Sequence, residues 1–219
     1  DAGVIVRWPR SRPVDAWWMD KDEAEQRRQI RERLDRIRDA FENARAYLDE
    51  RKADADAPTD LRYEAMAPAL AGERPVFFVA NDYDRIVAAL DFAEDFDLRP
   101  VIVGGRDAPL CAERIKAAGA GVVLLGTFNT PKRDDAPVDA AYRLPARLEE
   151  ANVRWCLTSG QPSWNERNLR FAAGMAVAHG LDHGEAMRAI TTDAADILGV
   201  GDRLGSIEAG KAATLLVTD

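Results

Sequence analysis

Residues 75–125 read PVFFVANDYDRIVAALDFAEDFDLRPVIVGGRDAPLCAERIKAAGAGVVLL. Three continuous apolar runs stand in this stretch, at 75–80, 100–103 and 121–125. Between the first two, Ile86, Leu90 and Ala93 fall on one helical face; between the second and third, Leu110, Ile115 and Ala118 do the same. A strand that is apolar at every position is buried on both faces, and an amphipathic helix between two such strands returns the chain to start the next one alongside. The pattern therefore predicts parallel β/α units. A fourth run, 153–157 (VRWCL), follows a polar loop and a short helix expected at 146–151, and a helix over 168–179 comes after it. Four units in series fit either a doubly wound sheet or part of a β/α barrel, and periodicity alone does not choose between them.

Upstream, residues 3–8 form a short β-branched run closed by Pro9 and Pro13, which reads as a strand and then a loop. From Asp15 to about Lys52 the chain is highly charged, with Ile30, Leu34, Ile37, Phe41, Ala44 and Leu48 recurring at spacings of three and four. One apolar stripe on a solvated helix suits a long helix lying across a domain surface; a dimerising coiled coil is the alternative. Residues 53–59 are rich in Asp, Ala and Pro and read as a linker, after which Asp60 can cap a short helix ending near Gly72. Downstream, Asp182 with Glu185 resembles a capping box, Met187 and Ile190 face inward, and a further helix opening at Thr192 or Asp193 stops at Gly199. The organisation expected is a strand, loop and charged helix over 1–58, a β/α part over 59–200, and a separate segment over 201–219, where turns lead into the apolar run Leu215, Leu216, Val217. A strand that starts there without partners leads us to expect a missing N-terminal segment or a second chain; a homo-oligomer is compatible with the charged helix.

The formal charge of −8 argues against a nucleic-acid partner, because neutralising phosphates requires a basic face. No run approaches the roughly 18 consecutive apolar residues that a membrane span needs, and residue 1 opens no signal-peptide pattern. We therefore expect a soluble protein, cytoplasmic or exported, with no membrane partner. Cys111 and Cys156 sit in apolar surroundings without a neighbouring cysteine and read as buried thiols.

In any parallel β/α architecture the ligand approaches the carboxyl ends of the strands. That rule selects Asn81, Asp82 and Asp84 after the first run, Gly104, Gly105 and Arg106 after the second, Thr127 and Asn129 after the third, and Thr158, Ser159 and Gln161 after the fourth. Asn81, Asp82 and Asp107 also suit the caps of the helices that follow. Gly104-Gly105 lacks the rest of a phosphate-binding fingerprint, and Ser159 lacks both a GxSxG frame and a placed histidine. The two histidines, His179 and His183, straddle a helix break at Gly180, which disfavours a shared metal.

The segment 168–217 contains AVAHGLDHGEAMRAITTDAADILGV and then DRLGSIEAGKAATLLV. A helix ending in Gly-Leu, an Ile-Thr segment, Ala-x-x-Leu-Gly and Gly-Ser-Ile-Glu-x-Gly-Lys occur together and in order. This combination resembles the C-terminal part of the amidohydrolase superfamily, the metal-dependent hydrolases related to imidazolonepropionase and dihydroorotase. The resemblance extends more weakly back to Pro75. It implies an α/β fold made of the later strands of a (β/α)8 TIM-type barrel, incomplete here, with the start of a small β-sandwich at the C-terminus. The family pattern Gly-Lys-x-Ala-Asp reads Gly210, Lys211, Ala212, Ala213, Thr214 in this chain.

Superfamily members hold one or two divalent metals, such as zinc, on a His-x-His of the first barrel strand, a lysine or acid on the fourth, histidines ending the fifth and sixth and an aspartate ending the eighth. Here no His-x-His occurs, Ala80 or Asn81 stands at the end of the strand-five equivalent, Gly104 and Gly105 at strand six, and Thr158, Ser159 and Gly160 at strand eight. The resemblance implies hydrolysis of an amide or other C–N bond in a small molecule. Asp82 or Asp84 would be the base, Asn81 or Asn129 would polarise the carbonyl, and Arg106, Asn129, Thr158, Ser159 and Gln161 would hold the substrate. The alternatives are a non-catalytic relative that keeps the fold for binding or assembly, and an unrelated doubly wound protein that binds a small anion near Gly104 and Arg106.

Overall fold

The computed structural model describes residues 2–54, 56–131, 136–160, 163–215 and 217. Five strands form one sheet: β1 (Val4–Val6), β2 (Val76–Ala80), β3 (Pro100–Gly104), β4 (Gly121–Leu125) and β5 (Trp155–Thr158). Every neighbouring pair is parallel, and the spatial order is the chain order, β1-β2-β3-β4-β5. A doubly wound sheet reverses direction at a switch point, whereas a barrel advances by one strand at each crossover. Sequential order therefore assigns the sheet to an arc of a barrel. Among the described residues β1 and β5 each pair on one side only, so the arc is open.

The outer face of the arc carries the helices. Phe78, Ile102, Val122, Leu124, Trp155 and Leu157 point to this side and join one large apolar core with the helix residues Ile86, Leu90, Ile115, Leu148 and Ala176. These belong to α4 (Tyr83–Asp95), α5 (Ala112–Ala117), α6 (Ala140–Glu150) and α7 (Leu169–Ala178). Two short helices, α2 (Leu61–Glu64) and α3 (Ala67–Leu70), precede β2. The long helix α1 spans Glu23–Ala53, with Asp22 rather than a residue near Asp15 at its start; the Asp22 carboxylate accepts the Glu25 N–H as an N-cap. Its expected stripe packs as proposed, with Phe41 and Ala44 buried and Leu34 and Ile37 half-buried against the core. Phe41 meets Phe92 and Phe96 edge-on at 5.2 and 5.5 Å, and Arg38 and Arg45 lie over the Phe96 ring.

The inner face holds Phe77, Val101, Val123 and Cys156, the alternate residues of the same strands. After α8 (His183–Ala189), α9 (Thr192–Ile197) packs on this side, and Ile197 and Ala194 join those four strand residues. Gly121, the first residue of β4, makes room for it: a Cβ there would stand 3.1 Å from the Ile197 side chain. Beyond Gly201 the described residues run as turns, with Ala212 N–H donating to the Arg203 carbonyl. Of the strand expected over 215–217, Leu215 and Val217 are not in a ladder and Leu216 lies outside the described residues. No described strand lies beside them, and a lone extended segment has nothing to donate its hydrogen bonds to.

Both cysteines are free and buried, as the sequence suggests. Burial pushes the Cys111 thiol up to about 11 and the Cys156 thiol up to about 12. A thiol whose folded-state value is raised stabilises the fold below its unfolded value, and that contribution is lost as pH rises through the folded one. Stability should therefore decline from about pH 9 upward. At pH 8 the native chain should react with iodoacetamide far more slowly than the unfolded chain, in which both thiols alkylate. Rapid labelling of either thiol in the native state would show that the burial is wrong.

Candidate functional site

The carboxyl ends of β2 and β3 bring the polar side chains together. Asn81 follows β2, and its amide lies directly over Gly104, where a Cβ would come within 2.4 Å of Oδ1; glycine at 104 leaves that space to the asparagine. Asp82 is the residue before α4, but its carboxylate does not cap that helix. It turns to the Arg106 guanidinium, with which it forms a short ion pair, and its second oxygen stands 3.6 Å from Arg85 Nη1. The cap comes from the next unit, since the Asp107 carboxylate accepts the Tyr83 N–H at 3.2 Å. Asp107 was expected to cap its own helix. Instead a 3₁₀ turn, Ala108–Cys111, follows it without a side-chain cap, and the buried carboxylate serves α4. The Asn81 carbonyl accepts the Asp107 N–H at 2.9 Å, so the two loops are laced in both directions.

Arg85 supports the arrangement from α4. One of its terminal nitrogens donates to the Trp8 carbonyl, in a short contact, and to the Val79 carbonyl at 3.1 Å, which ties the chain just past β1 to β2. Sequence reasoning missed Arg85, because helix periodicity says nothing of a long side chain that reaches back to strand carbonyls.

The other expected residues separate. Asp84 pairs with Arg12 at 2.9 Å and lines a groove between α1 and α4, away from Asn81 and Arg106. Asn129 Nδ2 donates to the Leu125 and Gly126 carbonyls, leaving only its oxygen, an acceptor, to face a ligand. It is thus unsuited to polarise a carbonyl. Thr158 Oγ1 accepts the Gly160 N–H at 3.0 Å, and Ser159 is 2% exposed. Gln161 lies outside the described residues. The loops after β4 and β5 cross in tight contact: a Cβ on Gly126 would stand 2.6 Å from the Ser159 carbonyl oxygen, and one on Gly160 would stand 2.3 Å from that of Leu125. Thr127, fully buried, anchors this crossing by donating to the Ala172 carbonyl of α7 at 3.1 Å.

Beside Asn81 and Arg106 opens a cleft of about 250 Å³. The 3₁₀ turn supplies Pro109 and Leu110 to its walls, α6 supplies Leu144 and Arg147, and Asn129 lies at its edge. Asn81, Arg106 and Asn129 thus face one cavity, while Thr158 and Ser159 do not line it.

The amidohydrolase family model matches residues 111–219. Amidohydrolase tasK of Hapsidospora irregularis is 27% identical over 179 residues, which is 74% of this chain and 17% of that protein. The crystal structure of an amidohydrolase from Thermotoga maritima MSB8 superposes with a TM-score of 0.77 at 23% identity, over 97% of this chain and 55% of that one. A second amidohydrolase crystal structure gives 0.50 at 22% identity, over 71% of this chain and 40% of that one. The chain therefore spans a small part of its curated relative and about half of the Thermotoga protein. The fold is that of an amidohydrolase TIM barrel in part. The match over 111–219 and the relatives support membership of the amidohydrolase superfamily.

The residues present do not fit the metal that the superfamily implies. Among the described residues no three His, Cys, Asp or Glu side chains gather where they could hold a metal ion. β1, one place before the strand-five equivalent, leads into Arg7 and Trp8 rather than a lysine or acid. His179 ends α7, stacked on Tyr142, while His183 begins α8, so the two imidazoles serve different helices.

Proposed function

We propose that this chain contributes the strand-end site of a small-molecule hydrolase that cleaves an amide or other C–N bond with activated water. The observation that carries the proposal is the convergence of Asn81, Asp82 and Arg106 at the ends of two adjacent strands, beside a cleft. The amidohydrolase relatives support the reaction class.

In this reading Asp82 takes a proton from water as the water oxygen adds to the carbonyl carbon. The oxyanion that forms accepts hydrogen bonds from the Asn81 amide and from guanidinium N–H groups of Arg106 not engaged by Asp82. The proton passes from Asp82 to the leaving nitrogen as the intermediate collapses and the C–N bond breaks, which restores the carboxylate and leaves no net proton on the protein.

A second reading rests on the same carboxylate. Two guanidiniums engage Asp82, and a carboxylate so held serves equally as a tie between strand ends. This favours a non-catalytic amidohydrolase-fold relative that binds a small molecule or assembles with a further segment, a second chain or another copy. Amine release from a panel of linear amides, lactams and cyclic ureides, measured on the full polypeptide, separates the two. Turnover above background on at least one class is expected. No turnover across the panel, together with retained small-molecule binding, would overturn the hydrolase and leave the binding protein.

A further inference from the structure

We infer that the cleft beside Asn81 and Arg106 binds a small organic carboxylate with an apolar body. Its volume of about 250 Å³ lies just below the roughly 300–1,000 Å³ of pockets for drug-sized ligands, so its ligand is small. The walls between the two ends are apolar, with Pro109 and Leu110 on one side and Leu144 on the other, above Leu124 of the core. A fully hydrated ion gains nothing from such walls; a ligand with a hydrocarbon body does.

The two ends differ in charge. At the inner end Arg106 is answered by Asp82 and, at 3.6 Å, by Asp107. At the α6 end Arg147 is exposed, and among the described residues no carboxylate stands within ion-pair distance of it. Its neighbour one turn earlier, Arg143, has its own partner in Asp139 at 3.5 Å. Among the described residues the cleft thus carries one uncompensated positive charge at one end, which suits a monoanion held by a planar fork of donors. A dianionic phosphate would leave a net negative charge near Asp107.

With its carboxylate on Arg147, the ligand runs along Leu110 and Leu144 and presents its far end to Asn81 and Arg106. Resting on the hydrolase reading above, this defines the substrate class as a small molecule whose scissile C–N bond is remote from a free carboxylate, with an apolar spacer between them.

The test is calorimetric titration of the full polypeptide at low salt with 4-phenylbutyrate and with its neutral counterpart 4-phenylbutanamide. The carboxylate should bind about tenfold or more tightly than the amide, as one charge-assisted pair implies. Arg147→Gln, an exposed change on α6, should erase that preference, and Leu110→Asp, at a residue 53% exposed, should weaken the carboxylate selectively. Both variants should melt like the parent. Equal affinity for the two probes in the parent, or an undiminished preference in Arg147→Gln, would overturn the inference. Because the readout is equilibrium binding, a chain that prefers the carboxylate and hydrolyses nothing keeps this inference and loses only the hydrolase.

Discussion

Asp82→Asn in the full polypeptide is expected to lower kcat for C–N cleavage by about 10²- to 10⁴-fold, the usual contribution of a positioned general base. The amide of asparagine keeps the size and direction of the side chain but cannot accept the proton of the attacking water. The loss should fall on kcat with little change in KM, because Asp82 meets Arg106 rather than lining the cleft that receives the substrate body. Stability should change little by comparison. The Asp82 side chain is 47% exposed, and ion pairs at such sites contribute about 0.2–1 kcal/mol. Steady-state rates and a circular-dichroism melt on the same preparation check both halves. A kcat within about threefold of the parent would remove Asp82 from the reaction and leave it a tie between strand ends.

Phe78→Ala should produce the largest loss of stability, about 3–5 kcal/mol. Phe78 is fully buried at the centre of β2, 5.7 Å from the Trp8 ring and 6.1 Å from that of Phe92. Phe92 in turn meets Phe41, so one ring cluster joins β2, the chain after β1, α4 and α1. Truncation leaves a cavity that backbone on two sides of the sheet cannot close, and it removes edge-to-face contacts worth about 0.5–1.5 kcal/mol each. Against a typical total of about 5–15 kcal/mol this is a large fraction. The denaturant midpoint should fall with an unchanged slope, whereas Phe171→Ala, at a residue 54% exposed, should fall within about 0.5 kcal/mol of the parent. A loss below about 1 kcal/mol for Phe78→Ala would contradict the core described.

The strands were legible because each is apolar at nearly every position, a pattern that only double burial explains: 121–125 matches β4 at both ends, and the other three runs differ from β2, β3 and β5 by one or two residues at their ends. Sequential order was not legible, since local periodicity carries no information on which strands are neighbours. α6 begins at Ala140, not near Ala146, so that Pro145 lies inside the helix; it has no N–H to donate to the Ala141 carbonyl, and its ring is buried in the core. α1 begins later than expected because the residues after Pro13 run as a loop, with a turn at Trp17 and Trp18, up to the Asp22 cap. Of the positions that the strand-end rule selects, Asn81, Asp82 and Arg106 come together in the structure. The rule could not foresee that Asp82 and Asp107 exchange duties, nor that Asp84 faces another groove, because both depend on side chains separated by more than twenty residues. Arg147 escaped notice for a similar reason: on α6 it reads as an ordinary surface cation until the 3₁₀ turn is placed opposite.

The helix α9 lies across the inner face at the starts of the strands, with Ile197 against Gly121 and Ala194 beside the same apolar group. It seals that end of the inner face with apolar side chains, so the packing there is set apart from the polar strand ends that carry Asn81 and Arg106.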